Sequence, residues 1–169
     1  MARLSSIALS ILVFAISGGW SGLVFNAKGD SFGWLIPLLF GLPLVFLCRR
    51  REGGPAWLWL IVSPITWLLI SVGGPWVYLA LHRSGIVILG ILGALAFAGA
   101  FSRLIRPTRG IERALLAEAG CLGGIVFEAT CQIHEEGWFG GTFDPSPVGF
   151  AVWQAAVGTV PVWMSTREE

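Results

Sequence analysis

Six apolar stretches, each close to the roughly 20 residues that a helix needs to cross the hydrocarbon core of a bilayer, take up most of this chain. They run over residues 4–25, 32–48, 56–72, 76–101, 111–133 and 148–164. A backbone placed in lipid must satisfy its own hydrogen bonds, so apolar runs of this length are expected to become helices. Charge content decides against the alternatives. Only 12% of the 169 residues are charged, against about 25% in a soluble domain. A water-facing surface made from what remains would be largely apolar and would aggregate, and disorder requires low hydrophobicity. The expectation is an all-α, polytopic transmembrane helical bundle forming a single domain over residues 1–169, with the lipid bilayer as its first partner.

The topology rests on one turn. Gly73-Gly74-Pro75 reads as the break between the third and fourth spans, because glycines favour turns and proline suits a first helical position. Six spans then put both termini on the same side. That side holds Arg3, Arg49, Arg50, Arg51, Arg103, Arg106, Arg109, Arg113 and Arg167, and the other holds Lys28 and Arg83. Lys and Arg gather on the cytoplasmic side, so both termini are predicted to be cytoplasmic, most simply in a bacterial cytoplasmic membrane. Trp20, Trp34, Trp76 and Trp138 fall at the predicted outer boundary and Trp57, Trp59 and Trp163 at the inner one, where indole rings prefer to sit. The arginine clusters would also attract anionic lipid at the cytoplasmic face. An alternative for the first span is a signal peptide, suggested by Arg3, the run Ile7 to Ile16 and Ala15-Ile16-Ser17; cleavage there would leave five spans.

Small residues recur at helix-packing spacing: Ser17, Gly18, Ser21 and Gly22 on the first helix, Gly90, Ala94 and Ala98 on the fourth, and Gly120 and Gly124 on the fifth. Such positions allow close backbone approach. They predict a tight bundle, with contact between chains of a homo-oligomer or with another membrane subunit as the second use.

The fifth span carries the costly side chains. Glu118, Cys121, Ile125, Glu128, Gln132 and Glu135 follow one another at steps of three and four, which places them on one helix face. Carboxylates in hydrocarbon cost about 2.5–3.5 kcal/mol each on insertion scales, so this face is expected to turn inward. Glu128 has His82 and Arg83 as its expected partners at matched depth, with Gln132 and Gln154 at a similar level, Gln154 pairing with Glu128 or Gln132. An Arg83 partner would keep the carboxylate ionised, whereas a His82 partner would suit proton coupling. His134, Glu135, Glu136 and Asp144, with Asp30, make an acidic outer rim.

Catalytic signatures are missing from the sequence: it has no G-x-S-x-G and no Walker A. His134-Glu135-Glu136 lacks the spacing that sets two imidazoles on one helix face, so no metal is expected, and two histidines in the whole chain give no cofactor either. Cys48, Cys121 and Cys131 read as small apolar filler. No basic domain suggests nucleic acid. Three functions fit. The first is a small transporter or channel with a polar path lined by the fourth to sixth helices and reaching Glu128. The second is a structural or assembly subunit of a larger membrane complex, which predicts no cavity. The third is a membrane-embedded enzyme using Glu128 with His82 or His134.

Overall fold

Apolar runs in this chain become helices wherever water is absent to satisfy the backbone, and the structure, a computed structural model, follows that rule closely. It describes residues 2–28, 34–48, 56–104, 107–136, 144 and 146–165. Six α-helices are present, with no strand among the described residues: α1 (Ala2–Lys28), α2 (Leu35–Cys48), α3 (Trp59–Leu81), α4 (Arg83–Leu104), α5 (Gly110–Glu135) and α6 (Ser146–Ser165). A short 3-10 turn, Ala56–Leu58, leads into α3. The architecture is that expected of a membrane protein. Four helices (α1, α3, α4 and α5) are long and apolar enough to cross a bilayer, and α2 is a shorter apolar helix. Large apolar side chains, among them Leu12, Phe46, Leu68, Val72, Leu79 and Leu122, cover the outside.

The third helix does not end at Gly73-Gly74-Pro75. It runs unbroken through Pro75 to Leu81, and the chain turns at His82. In apolar surroundings an early turn would expose several backbone groups with no water to take them, whereas one proline inside a helix costs only its own donor. Gly74 is buried against Leu89 of α4. The turn waits for the first polar residues. His82 takes the left-handed conformation (φ 50°), one that histidine adopts more readily than most residues, and its carbonyl accepts a hydrogen bond from the Gly85 N–H at 2.9 Å.

Consecutive helices pack against each other, and α6 returns to pack along α1, with α2 also touching α6. The pairings are antiparallel. Gly18 meets Phe150 and Ala151, Gly22 meets Ser146 and Pro147, and Phe14 meets Gly158. Gly90 meets Gly120, and Val87 meets Gly124. The small-residue strips on α1, α4 and α5 are thus used within the chain, where a β-carbon would run into the neighbouring backbone. Helix α6 is the inner helix, flanked by α1, α5 and α2. Val148 is its one exposed residue among those described, so α6 has little need of a lipid-facing surface.

The bundle has two unlike ends. At the end where α4 finishes and α5 begins stand Arg103, Arg109 and Arg113. The helices there close around Phe14, Phe40, Trp59, Phe97 and Phe101, continued by Leu44, Leu116, Val157 and Met164. Trp59 stacks on Phe101 at 5.1 Å and on Phe97 at 6.1 Å. It is a core residue at 2% exposure, not the boundary anchor its position suggested; Trp57, two residues earlier, is the exposed one. The opposite end carries the α3–α4 turn at His82, the C-terminus of α5 and the start of α6. There Asp144 accepts the Ser146 N–H at 2.9 Å and caps α6.

The α4–α5 connection is held by polar groups that hydropathy alone does not single out. Glu112, buried, accepts the Arg109 N–H at 2.8 Å, and the Arg113 Nε–H donates to Thr108 Oγ1 at 2.8 Å. Arg49, Arg50, Arg51, Arg106, Arg167, Asp30 and Trp138 lie outside the described residues, as do the side chains of Arg3, Lys28 and Arg83.

Candidate functional site

Most of the α5 face expected to turn inward is exposed, with Cys121 and Glu128 half-buried. The buried positions of α5 are Glu112, Leu116, Gly120, Gly123, Gly124 and Thr130. The polar face lies about the other side: Glu118, Ile125, Gln132 and Glu135 are exposed, and Cys121 and Glu128 are half-buried. The reason is backbone contact. Gly120 and Gly124 are drawn to α4, and Gly123 to Trp153 of α6, so the glycine side of α5 takes the interior and leaves Glu118 and Glu135 exposed, while Glu128 is half-buried with its Oε2 covered. Periodicity groups residues onto a face but does not say which way that face looks.

Glu128 stands one turn beyond Gly124, and Gly124 meets Val87. Helix register therefore sets Glu128 level with the first residues of α4, around 83–84. His82 is exposed at the turn rather than inside a helix, and His134, Glu135 and Glu136 are exposed at the end of α5. No group of three or more His, Cys, Asp and Glu that could hold a metal occurs among the described residues.

Gln154 is the candidate most deeply placed, at 1% exposure. Its partner is neither Glu128 nor Gln132. The Nε2 donates to Ser21 Oγ at 2.8 Å, Ser21 Oγ donates to the Ser17 carbonyl at 3.0 Å, and Ser17 Oγ donates to the Leu39 carbonyl. Trp153 faces α4 and α5, its Nε1–H reaching the Gly90 carbonyl at 3.4 Å. The next residue is turned about 100° around the helix, toward α1. The Leu39 carbonyl is one that Pro43, four residues on, cannot serve for lack of an N–H. Ser17 fills that vacancy from the neighbouring helix.

On the flank of the bundle toward the His82 end a cleft of about 1060 Å³ opens to the outside, where Trp34, Leu68, Ser71 and Pro75 of its wall are exposed. Helices α2 to α6 all contribute to it. Trp34, Trp67, Trp153, Phe127 and Phe150 supply aromatic walls, Leu68, Ile70, Ile86 and Leu89 aliphatic ones, and Pro37, Pro64 and Pro75 the bends. Ser71 is its one hydroxyl-bearing residue among those described, and no charged side chain described here lines it. Glu128 is not part of the wall; its neighbour Phe127 is. The cleft ends against the aromatic core, its wall residue Trp153 packing on Phe40 at 5.6 Å.

Below it, a second cavity of about 20 Å³ lies between α2, α3 and α6, with Ser63, Thr66 and Gln154 among its walls. Pro37, Trp67, Ile70, Phe150 and Trp153 line both spaces. No hydropathy pattern could have revealed either one, since each is made by residues from three or more helices.

The chain matches no family model, and no characterised protein or solved structure shows significant similarity to it.

Proposed function

We propose that this is a six-span membrane protein, with both termini on the cytoplasmic side of a bacterial inner membrane, that takes a predominantly apolar small molecule into the cleft between α2 and α6 as a small transporter or carrier. The observation behind this reading is the cleft itself. Ligand pockets commonly measure about 300–1,000 Å³ and are lined mainly by apolar and aromatic side chains, a description that suits the 1060 Å³ space. Its position favours one-sided access: it occupies the His82 end while aromatic rings pack the arginine end. The up-and-down helix order and the shared end of Arg103, Arg109 and Arg113 support the proposed orientation. The path so proposed is apolar and involves five helices, in place of a polar one along Glu128.

The test is photolabelling of membranes containing the protein with a long-chain alcohol that carries an aliphatic diazirine. Label is expected in the peptides around Trp67 and around Phe150–Trp153. Filling the cleft by Ile86→Trp should remove it, while Leu95→Trp, on an exposed face outside the cleft, should not. Equal labelling of both variants would refute a ligand cleft.

A second reading, as a subunit of a membrane complex, draws on the exposed polar side chains of α5. Glu118 lies eight residues beyond the start of α5 at Gly110 and is exposed; at about 1.5 Å per residue that is some 12 Å along the helix. Such a carboxylate calls for a partner within the bilayer, either a second copy or another subunit. Cross-linking of Glu118→Cys and Gln132→Cys in membranes tests this, and an all-monomer pattern speaks against it.

A further inference from the structure

We infer that the small cavity beneath the cleft is a recognition site for a single uncharged hydroxyl group, so that the ligand is a neutral amphiphile with an apolar body and an alcohol head. The inference rests on the proposed ligand cleft and adds the chemistry of what enters it. Two polar side chains in the cavity wall are almost wholly buried, Ser63 at 2% and Gln154 at 1% exposure, and Ser63 Oγ and Gln154 Oε1 have no hydrogen-bond partner.

The other polar groups of the same wall are paired. Thr66, in the same wall, donates to the Val62 carbonyl at 2.9 Å, and the other end of the Gln154 amide donates to Ser21. Buried polar atoms are nearly always paired, and an unpaired one is costly in apolar surroundings. The two free valences are complementary. Gln154 Oε1 can only accept, whereas the Ser63 hydroxyl can donate. Both side chains line the one cavity, and a hydroxyl held between them would give its hydrogen to Gln154 and receive the Ser63 proton. An ether or a ketone can accept from Ser63 but leaves Gln154 unpaired. A carboxylate or an ammonium would enter with no counter-charge, since no charged side chain among the described residues lines either space.

Size and position agree. A volume of about 20 Å³ has room for one group the size of a water or a hydroxyl. The five residues common to both walls put this head site directly against the apolar cleft, which would hold the body of the molecule.

The experiment compares two photoreactive probes of equal chain length, a diazirine-bearing long-chain alcohol and its methyl ether, on the intact protein in lipid nanodiscs. Labelling of the cleft peptides is normalised to labelling of the lipid-facing α1 segment with Leu9 and Leu12. The alcohol is expected to label the cleft about tenfold better than the ether, one buried hydrogen bond being worth about that factor. Ser63→Ala, which removes no bond made within the protein, should lower cleft labelling by both probes and leave their ratio, whereas Gln154→Leu should abolish the ratio. Equal cleft labelling by alcohol and ether overturns the hydroxyl site, leaving the cavity as the seat of a structural water and the cleft reading intact. Absence of cleft labelling by either probe overturns both.

Discussion

Single residues carry the polar interactions that a lipid-embedded bundle can least spare. Ser17 is the clearest case, because it serves a carbonyl that Pro43 has left without a helical donor. Ser17→Ala should lower stability by about 1–2 kcal/mol, the cost of an unpaired buried acceptor, measured as a shift in reversible unfolding in mixed detergent micelles. His82 predicts the opposite sign. It holds the left-handed conformation at the α3–α4 turn, where a β-carbon is disfavoured by roughly 1–2 kcal/mol. His82→Gly should therefore stabilise the protein by about 1 kcal/mol, less the flexibility that glycine adds to the unfolded chain. A loss of stability would show that the imidazole itself holds the turn. Neither role was legible beforehand. Ser17 looked like packing material and His82 like an intramembrane titrating group, because proline-freed carbonyls and turn positions are set by structure around them.

At the scale of elements, glycine placement dictates how helices face one another. Gly18 and Gly19 are chain neighbours with contrary environments. A β-carbon on Gly18 would meet the backbone of Phe150 and Ala151, whereas one on Gly19 would meet nothing within 4 Å. Gly18→Ala should cost about 1–3 kcal/mol as overpacking at a contact that cannot yield. Gly19→Ala should be neutral or gain up to about 1 kcal/mol of helix propensity. Comparing the unfolding midpoints of the two variants checks both. The small-residue strips could be read from spacing, and so could the grouping of polar residues along α5. The orientation of that polar face could not. Helical periodicity is a relation among residues of one helix, and the close approach of Gly120, Gly123 and Gly124 to α4 and α6 outweighed any gain from turning Glu118 inward.

For the whole molecule, the asymmetry between a closed aromatic end and an open apolar end is the property that bears on function. Single cysteines placed in a variant lacking the native ones should report it. Ser71→Cys, in the cleft wall, should react with a small uncharged maleimide, and Val157→Cys, in the aromatic core region, should stay protected. With membrane-impermeant reagents added to right-side-out or inverted vesicles, Arg109→Cys should react from the cytoplasmic side only. Reaction of the Arg109 position from the opposite side would reverse the proposed orientation.

Apolar runs of bilayer length, sparse charge and small residues one turn apart were enough, without coordinates, to make this an all-helical membrane bundle. Those features act within single segments, where hydrogen bonding and transfer out of water depend on local composition. The turn at His82, the burial of Trp59, the pairing of Gln154 with Ser21, the exposure of Glu118 on α5 and the cleft between five helices were settled only in three dimensions. Each depends on which backbone comes nearest to which, and in lipid, where hydrophobic transfer no longer separates inside from outside, close packing makes that choice.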